Sequence, residues 1–329
     1  MEMKNFRNIS LIALLIIASF CSCKKSSDDF VPYNNSDFSD TEWTNSTMSN
    51  LKSQAIVTAL SKSPVTATLS ALSANTVDMN SSTQLFVPAN ACTLNGVNYS
   101  GNITANLNSV LTKGDFIRNM ISSCNENSLQ ETVAAFDLNL YSAAKETLGF
   151  KQQNKFSLAF ADTNFPGVGY KYYYGSMNQG IINWTLADSL TGSLSYNQVS
   201  IQGTSKPAYQ ISSNKLSWMT INRPVSLGSP ATCNILLPIN FTNKNTAVFA
   251  VFRNNNIVIR LNGDAASKSF VATNLPANAD VTFVALSYLD NQFYLGYLET
   301  LITNNTQYNI KTTTTPISLS SLNSFLDGL

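Results

Sequence analysis

Histidine is absent from the chain. That removes any histidine-based catalytic triad, any imidazole general base and any imidazole metal ligand. Charge is scarce too: only 12% of residues are charged, about half the usual share of ~25%. Twenty basic residues face nineteen acidic ones, so the formal net charge is +1. A chain this close to neutral has no electrostatic footprint for nucleic acid. Cysteine is limited to five residues, and no CxxC spacing occurs among them, which argues against a zinc site. What remains is 44% apolar residues, a normal fraction that excludes wholesale disorder. At 329 residues the chain has room for one large or two medium domains with packed cores.

The longest aliphatic run is also the most telling. Lys4 and Arg7 precede Ile9–Phe20, an apolar stretch of about a dozen residues. A membrane span needs roughly 20, whereas a signal-peptide core needs about this many. The run ends in Phe20-Cys21-Ser22-Cys23-Lys24-Lys25. A cysteine at the end of such a core is where bacterial lipidation attaches acyl chains. Cys23, with Ser22 before it, is the expected lipidation site, and Cys21 is the alternative. Several acyl chains, palmitate among them, would anchor the chain without a spanning helix. Removing residues 1–22 leaves 18 basic against 18 acidic residues. Residues 23–50 are polar and low in aliphatic side chains, and are expected to form a flexible tether whose one bulky anchor, Trp43, belongs either to the tether or already to the fold.

Three cysteines are left for the body: Cys92, Cys124 and Cys233. An exported protein permits a disulfide. The shortest closure, Cys92–Cys124, is the candidate, stabilising by roughly 3–4 kcal/mol on a loop-entropy basis. Cys233 sits in a strand-like run and reads as buried.

From residue 60 onward the hydrophobic period is two. Ile103-Ala105-Leu107, Phe136-Leu138-Leu140, Phe156-Leu158-Phe160, Ile182-Trp184-Leu186 and Phe293-Leu295-Tyr297 all alternate. The continuous runs Ala247–Phe252 and Ile257–Leu261 read as central strands joined by the turn Arg253–Asn256. Met48–Leu60 reads as either a short helix or a strand. Leu319, Leu322 and Leu326 make a helical stripe with Ser318 as its cap. The fold class is therefore mainly β: two β-sandwich-like domains, 51–165 and 166–329, with a short C-terminal helix. The boundary is placed in Thr163–Tyr174, where Pro166, Gly167 and Gly169 cluster.

Two blocks carry a family resemblance. Phe86–Ala91 (FVPANA), Asn95-Gly96, Gly101, the alternating Ile103–Leu107 and Lys113–Ile117 follow one another as in the ZU-type β-sandwich, and Glu131–Tyr141 corresponds to its next strand. Ile182-Asn183-Trp184 and Leu216–Arg223 resemble the marks of the C-terminal half of Bacteroidota surface lipoproteins that carry such a domain. The two blocks, Gln84–Phe160 and Ile181–Leu329, together span about seven tenths of the chain. The glycine usual in the Glu131–Tyr141 strand is missing, and Asn222 stands where an acidic residue usually precedes the arginine. The resemblance implies a lipid-anchored protein of the outer membrane facing the cell exterior, with Lys24–Asp29 resembling the export signal behind the lipidated cysteine. It implies no substrate.

Chemistry is sparse in this sequence. Two SxxK tetrads, Ser49–Lys52 and Ser212–Lys215, lack the partner motifs of serine acyl-enzymes. Carboxylates that would serve a glycan or peptidoglycan hydrolase are Asp137, Glu146, Asp162, Asp188, Asp280 and Glu299, with no spacing that selects a pair. Asp162-Thr163-Asn164 resembles the start of a calcium loop without its terminal glutamate. Tyr172, Tyr174, Trp184 and Trp218 are candidate sugar-stacking aromatics. Asp188-Ser189-Leu190 fits an O-glycosylation pattern at Ser189. The leading expectation is a non-enzymatic binding, adhesion or envelope-interaction module without cofactor or metal. Its partners would be the membrane, through the anchor, and surface glycans or envelope proteins. A two-carboxylate hydrolase is the alternative.

Overall fold

Strands that alternate apolar and polar residues bury one face, and strands that are apolar throughout bury both. This chain uses both kinds, and the contrast sets its architecture. A computed structural model describes residues 42–45, 51–125, 128–162, 168–178, 181–226, 228–303, 306–310 and 316–329. All of these fall within one unit, Asp40–Leu329. The signal segment, Cys21, Cys23 and most of the tether lie outside the described residues.

The first sheet has the order β1 (Val65–Ser70), β6 (Asn102–Val110), β7 (Gln130–Ser142), β14 (Trp218–Pro224), β10 (Lys171–Asn178) and β11 (Ile181–Leu186), all antiparallel. The second runs β12 (Gly192–Ile201), β13 (Thr204–Ser213), β9 (Phe156–Ala161), β3 (Thr83–Val87) and β2 (Asn75–Asp78). The third runs β17 (Val258–Arg260), β16 (Thr246–Phe252), β20 (Asp280–Leu289) and β21 (Gln292–Leu301). The fourth runs β18 (Asn262–Asp264), β19 (Ser269–Pro276), β15 (Pro230–Leu236) and β22 (Thr306–Asn309), with β15 and β22 parallel. A small sheet of β5 (Val97–Asn98), β4 (Cys92–Leu94) and β8 (Gly149–Phe150) completes the set.

Three cores lie between these layers. Leu85, Ile103, Phe136, Phe156, Tyr172 and Ile211 fill the space between the first and second sheets. Ala135, Tyr173, Trp184, Phe249, Val251 and Val284 lie between the first and third. Val248, Phe252, Phe283, Cys233, Ile235 and Phe270 lie between the third and fourth. The layers therefore stack second–first–third–fourth. The run Ala247–Phe252 lacks polar breaks because β16 has core on both sides: Val248 and Ala250 face one, Phe249 and Val251 the other. In β10, Tyr172 and Tyr173 split the same way.

Three helices enter the middle core: α1 (Leu51–Leu60), α2 (Lys113–Arg118) and α3 (Leu319–Asp327). Leu322 and Leu326 of α3 are buried and Ser318 Oγ accepts from Ser321 N at 3.1 Å, as the stripe and cap require. A Cβ on Gly114 of α2 would collide with the Leu326 carbonyl, so glycine here is what lets α3 lie against α2. Arg118, 2% exposed, clasps the two helices. It donates to Asp115 Oδ1 at 3.0 Å, Asp327 Oδ1 at 2.7 Å and the Asn323 carbonyl at 3.0 Å. Lys62 Nζ reaches Asp115 from the other side at 2.8 Å.

Two expectations need revision. First, strands on either side of residue 166 share sheets: β10, β11 and β14 complete the first sheet and β12 and β13 the second. The change from one sandwich to the other falls between β14 and β15, beyond Pro224, and not at 165/166. Second, Cys92 and Cys124 are free and lie in different cores, so the disulfide expected between them is not made. Cys233 is buried as expected. Of the two readings of Trp43, the structure shows the one in which it belongs to the fold: its ring packs against Phe270 with centroids 5.2 Å apart, and Thr44 N donates to Asn243 Oδ1 at 3.1 Å.

Candidate functional site

The short helix α2 builds the site. Thr112 and Asp115 form a capping box: Thr112 Oγ1 accepts from Asp115 N at 3.2 Å and Asp115 Oδ2 accepts from Thr112 N at 3.2 Å. At its other end Ile121 N donates to Phe116 O and Met120 N to Ile117 O, both at 3.0 Å. This is a Schellman turn, with Met120 at φ +55° where glycine is usual. Holding a non-glycine residue there costs on the order of 1 kcal/mol. The turn aims residues 120–125 along two sheet edges at once.

On one side is β17, the edge of the third sheet. Ser123 N donates to Val258 O at 2.8 Å, Val258 N to Ser123 Oγ at 2.9 Å, and Arg260 N to Ser122 Oγ at 2.9 Å. On the other side is β11, the edge of the first sheet. The Asn125 amide acts as a surrogate strand: its Nδ2 donates to Trp184 O at 2.6 Å, while its Oδ1 accepts from Trp184 N at 2.8 Å. Trp184 Nε1 donates to Ser122 O at 3.0 Å. Asn222 is buried and fully engaged. It accepts from Thr220 Oγ1 and donates to Ser123 O and Gln130 Oε1, at 2.7, 2.9 and 2.9 Å. It therefore anchors this segment from below.

Between the two stitched edges is a cleft of about 360 Å³. Its walls include Ser122, Asn125, Ile182, Asn183, Arg260 and Asn262. Arg260 Nη1 donates to Met120 O at 3.0 Å, and burial pushes its guanidinium below the ordinary arginine pKa. Cys124 also borders the cleft; burial pushes its thiol up to about 11, so it is neutral at physiological pH and a poor nucleophile. No acidic residue borders the cleft among the described residues. The adjoining recess against Asn274 and Leu275, about 250 Å³, shares Arg260 and Asn262. Such a wall offers hydrogen bonds to carboxylate, carbonyl and hydroxyl oxygens, which suits reversible binding.

The aromatic candidates do not form one platform. Tyr172 is buried in the core between the first two sheets, its hydroxyl 2.8 Å from Ser213 Oγ. Tyr174 packs against the same core, whereas Trp184 is buried in the middle core and Trp218 packs, half-exposed, at its margin. Gly175 of β10 stands opposite Trp184 of β11, so Tyr172 and Trp184 lie on opposite faces of the first sheet. The carboxylates are equally dispersed. Asp280 and Glu299 come together only by sharing Arg253, at 3.6 and 2.9 Å, on an exposed strand surface. Asp188 caps its own turn, accepting from Thr191 N at 2.7 Å, which holds its carboxyl below the ordinary range. Ser189 is exposed in that turn. Ser212 lies in β13, and Lys215 follows the strand's end, exposed, so the second SxxK tetrad lacks the helix that would put both side chains on one face. Ser49 of the first tetrad and the residues after Asp162 in the calcium-like stretch lie outside the described residues. Among the described residues no group of histidine, cysteine, aspartate and glutamate is arranged to hold a metal ion.

Sequence reasoning missed α2 and the Asn125 plug. The signal for α2 was Thr112-Lys113-Gly114-Asp115, a capping box with aspartate in place of glutamate. Asn125 left no signal, because its partner is the backbone of a residue 59 positions away. No family model matches the chain, and neither does any curated protein or solved structure.

Proposed function

We propose that this protein is a lipid-anchored binding module of the bacterial outer membrane, held by acyl chains at Cys23 and facing the cell exterior, and that it works without catalysing a reaction. The ligand is a surface glycan or envelope component whose oxygen-bearing end enters the Arg260 cleft. The cleft carries this reading: its walls are tied to two sheet edges by direct hydrogen bonds, so it is preformed, and it presents amide, hydroxyl and guanidinium donors. The address rests on the apolar core Ile9–Phe20, the cysteine that ends it and the Lys24–Asp29 tail. Likeness to Bacteroidota lipoproteins with a ZU-type domain supports the same location. Exposed Ser189 suits the O-glycosylation read from Asp188-Ser189-Leu190.

Labelling of intact cells with an impermeant biotin reagent tests the address, with wild type set against Cys23→Ala. Labelled, lipidated wild-type protein and loss of lipid in the variant are expected; protection of the wild type on intact cells overturns the exterior location. A glycan array probed with wild type and Asn183→Trp, which fills the cleft from an exposed wall position, tests the site. Binding lost in the variant is expected, and turnover of a bound glycan overturns the non-enzymatic reading.

A further inference from the structure

The first sheet has a second surface that the cleft does not use. One of its faces is buried against the second sheet from β1 across to β10. The other is divided. Ala135, Tyr173, Ile182 and Trp184 meet the helices and the third sheet. The half formed by β1, β6 and the later part of β7 carries polar side chains instead.

Strand register arranges those side chains in three rows. Thr68, Thr104 and Tyr141 stand opposite one another, as do Thr66, Asn106 and Asn139, and then Asn108, Asp137 and Trp218. Neighbours along a row are about 4.8 Å apart, and rows are about 7 Å apart, because side chains on one face recur every second residue. Thr66 and Thr68 are exposed, and the other seven are half-buried.

The hydrogen bonding of this grid is incomplete. Asn106 Oδ1 is buried and has no hydrogen-bond partner among the described residues. Asp137 accepts from Asn139 Nδ2 at 2.9 Å, and it makes no ion pair among the described residues. Burial pushes its carboxyl above the ordinary aspartate pKa. Asn108 spends one amide hydrogen on Asn119 Oδ1 at 3.0 Å. A merely solvated strand face tolerates lysine and glutamate, whose long side chains reach water. Short amides and a carboxylate held half-buried keep their desolvation cost unless something polar fits them.

We infer that this face binds a neutral saccharide chain. Sugar hydroxyls both donate and accept. They can donate to Asp137 and to Asn106 Oδ1, and accept from the asparagine and threonine donors along the rows. Trp218, directly across from Asp137, supplies an aromatic surface beside the carboxylate for an apolar sugar face. None of the nine residues is basic, so the grid offers no counter-charge to a uronate, sulfate or phosphate, and Asp137 repels them. The site is separate from the Arg260 cleft, and either assignment stands or falls without the other.

The test uses the full chain in detergent, titrated calorimetrically with neutral hexasaccharides of glucose, mannose and galactose in their common linkages, and with polygalacturonate as the anionic comparison. Variants are Asn106→Leu, which removes the orphaned oxygen, and Thr68→Arg, an exposed substitution that leaves packing alone. Asn183→Trp reports on the cleft, and thermal melts check folding. At least one neutral hexasaccharide binds, Asn106→Leu and Thr68→Arg each weaken it by about tenfold or more, and Asn183→Trp leaves it unchanged. The inference is overturned if no neutral hexasaccharide binds at millimolar concentration, if binding survives both grid substitutions, or if polygalacturonate binds Asn183→Trp, whose cleft is filled, more tightly than the neutral hexasaccharides do.

Discussion

Replacing Arg118 with alanine tests the helical middle layer most directly. The arginine is 2% exposed and serves Asp115, Asp327 and Asn323 together. Removing one partner of a buried ion pair costs about 3–5 kcal/mol when the other charge is stranded. Here Asp115 keeps Lys62 at 2.8 Å, and Asp327 is 62% exposed and returns to water. The expected cost therefore sits at the lower end, about 3 kcal/mol. At roughly 2.1 cal/mol/K of unfolding entropy per residue, a unit of about 290 residues loses ~5 °C of melting temperature. Calorimetry reads that shift, and hydrogen exchange shows it concentrated in Leu319–Asp327. Arg118→Met keeps more of the side-chain volume and loses less. Acid acts on the same clasp. Burial opposes ionisation of Asp115, but Lys62, the Leu111 amide and the Thr112 side chain outweigh it, and the carboxyl lies below its ordinary 3.8. A depressed carboxylate pKa stabilises the fold above the unfolded value, and that stability is lost as pH falls below 3.8 through the lower folded value. A melting point for Arg118→Ala within about 1 °C of wild type would show that α3 is not held by this arginine.

Other consequences follow from the packing. Gly114→Ala drives a methyl into the Leu326 carbonyl and destabilises by about 1–3 kcal/mol in urea titrations, where an open helix position would gain stability instead. Asn125→Ala strips both hydrogen bonds from the Trp184 peptide, costs about 1–3 kcal/mol, and speeds amide exchange at Trp184 while leaving Phe136 protected. Cys92, Cys124 and Cys233 all have thiols pushed up to about 11 by burial. They stay unreactive to a thiol reagent in native protein at pH 8 and react once it is denatured; a Cys92–Cys124 disulfide in peptide mapping refutes this. Because the folded state holds these thiols neutral, stability falls as pH rises from 9.0 toward 11.

The strands were legible because their causes are local. Ile103, Ala105 and Leu107 alternate in sequence and point into one core. Ala247–Phe252 lacks alternation and is buried on both sides. The C-terminal helix could be read from its leucine stripe and serine cap. The stacking of four sheets could not, since period two says that a face is buried without saying against what. The same ambiguity misplaced the domain boundary: Pro166, Gly167 and Gly169 mark a loop, but β10 beyond it pairs with β14, which pairs in turn with β7. Tyr172 and Trp184 could be read either as sugar-stacking rings or as core, because strand sequences do not distinguish a core-facing aromatic from a ligand-facing one. Asp137 was visible only as one carboxylate among several. What singles it out is its register beside Asn108 and Trp218, set by strands 29 and 81 residues away in sequence.

Helix α2 connects the two surfaces assigned to binding. Its N-terminal turn carries Asp115 of the clasp. Its C-cap, Asn119, accepts from Asn108 at the border of the polar grid, and the next residue, Met120, accepts from Arg260 at the wall of the cleft. The three groups lie within six consecutive residues of one rigid turn, so a displacement of α2 changes the grid and the cleft together. Asn106→Leu, Thr68→Arg and Asn183→Trp were therefore placed off this helix. Arg118→Ala, by contrast, loosens its clasp, and both binding sites weaken in that variant in proportion to how far the turn moves. Loss of binding at one site with full retention at the other would show that the turn does not couple the two surfaces.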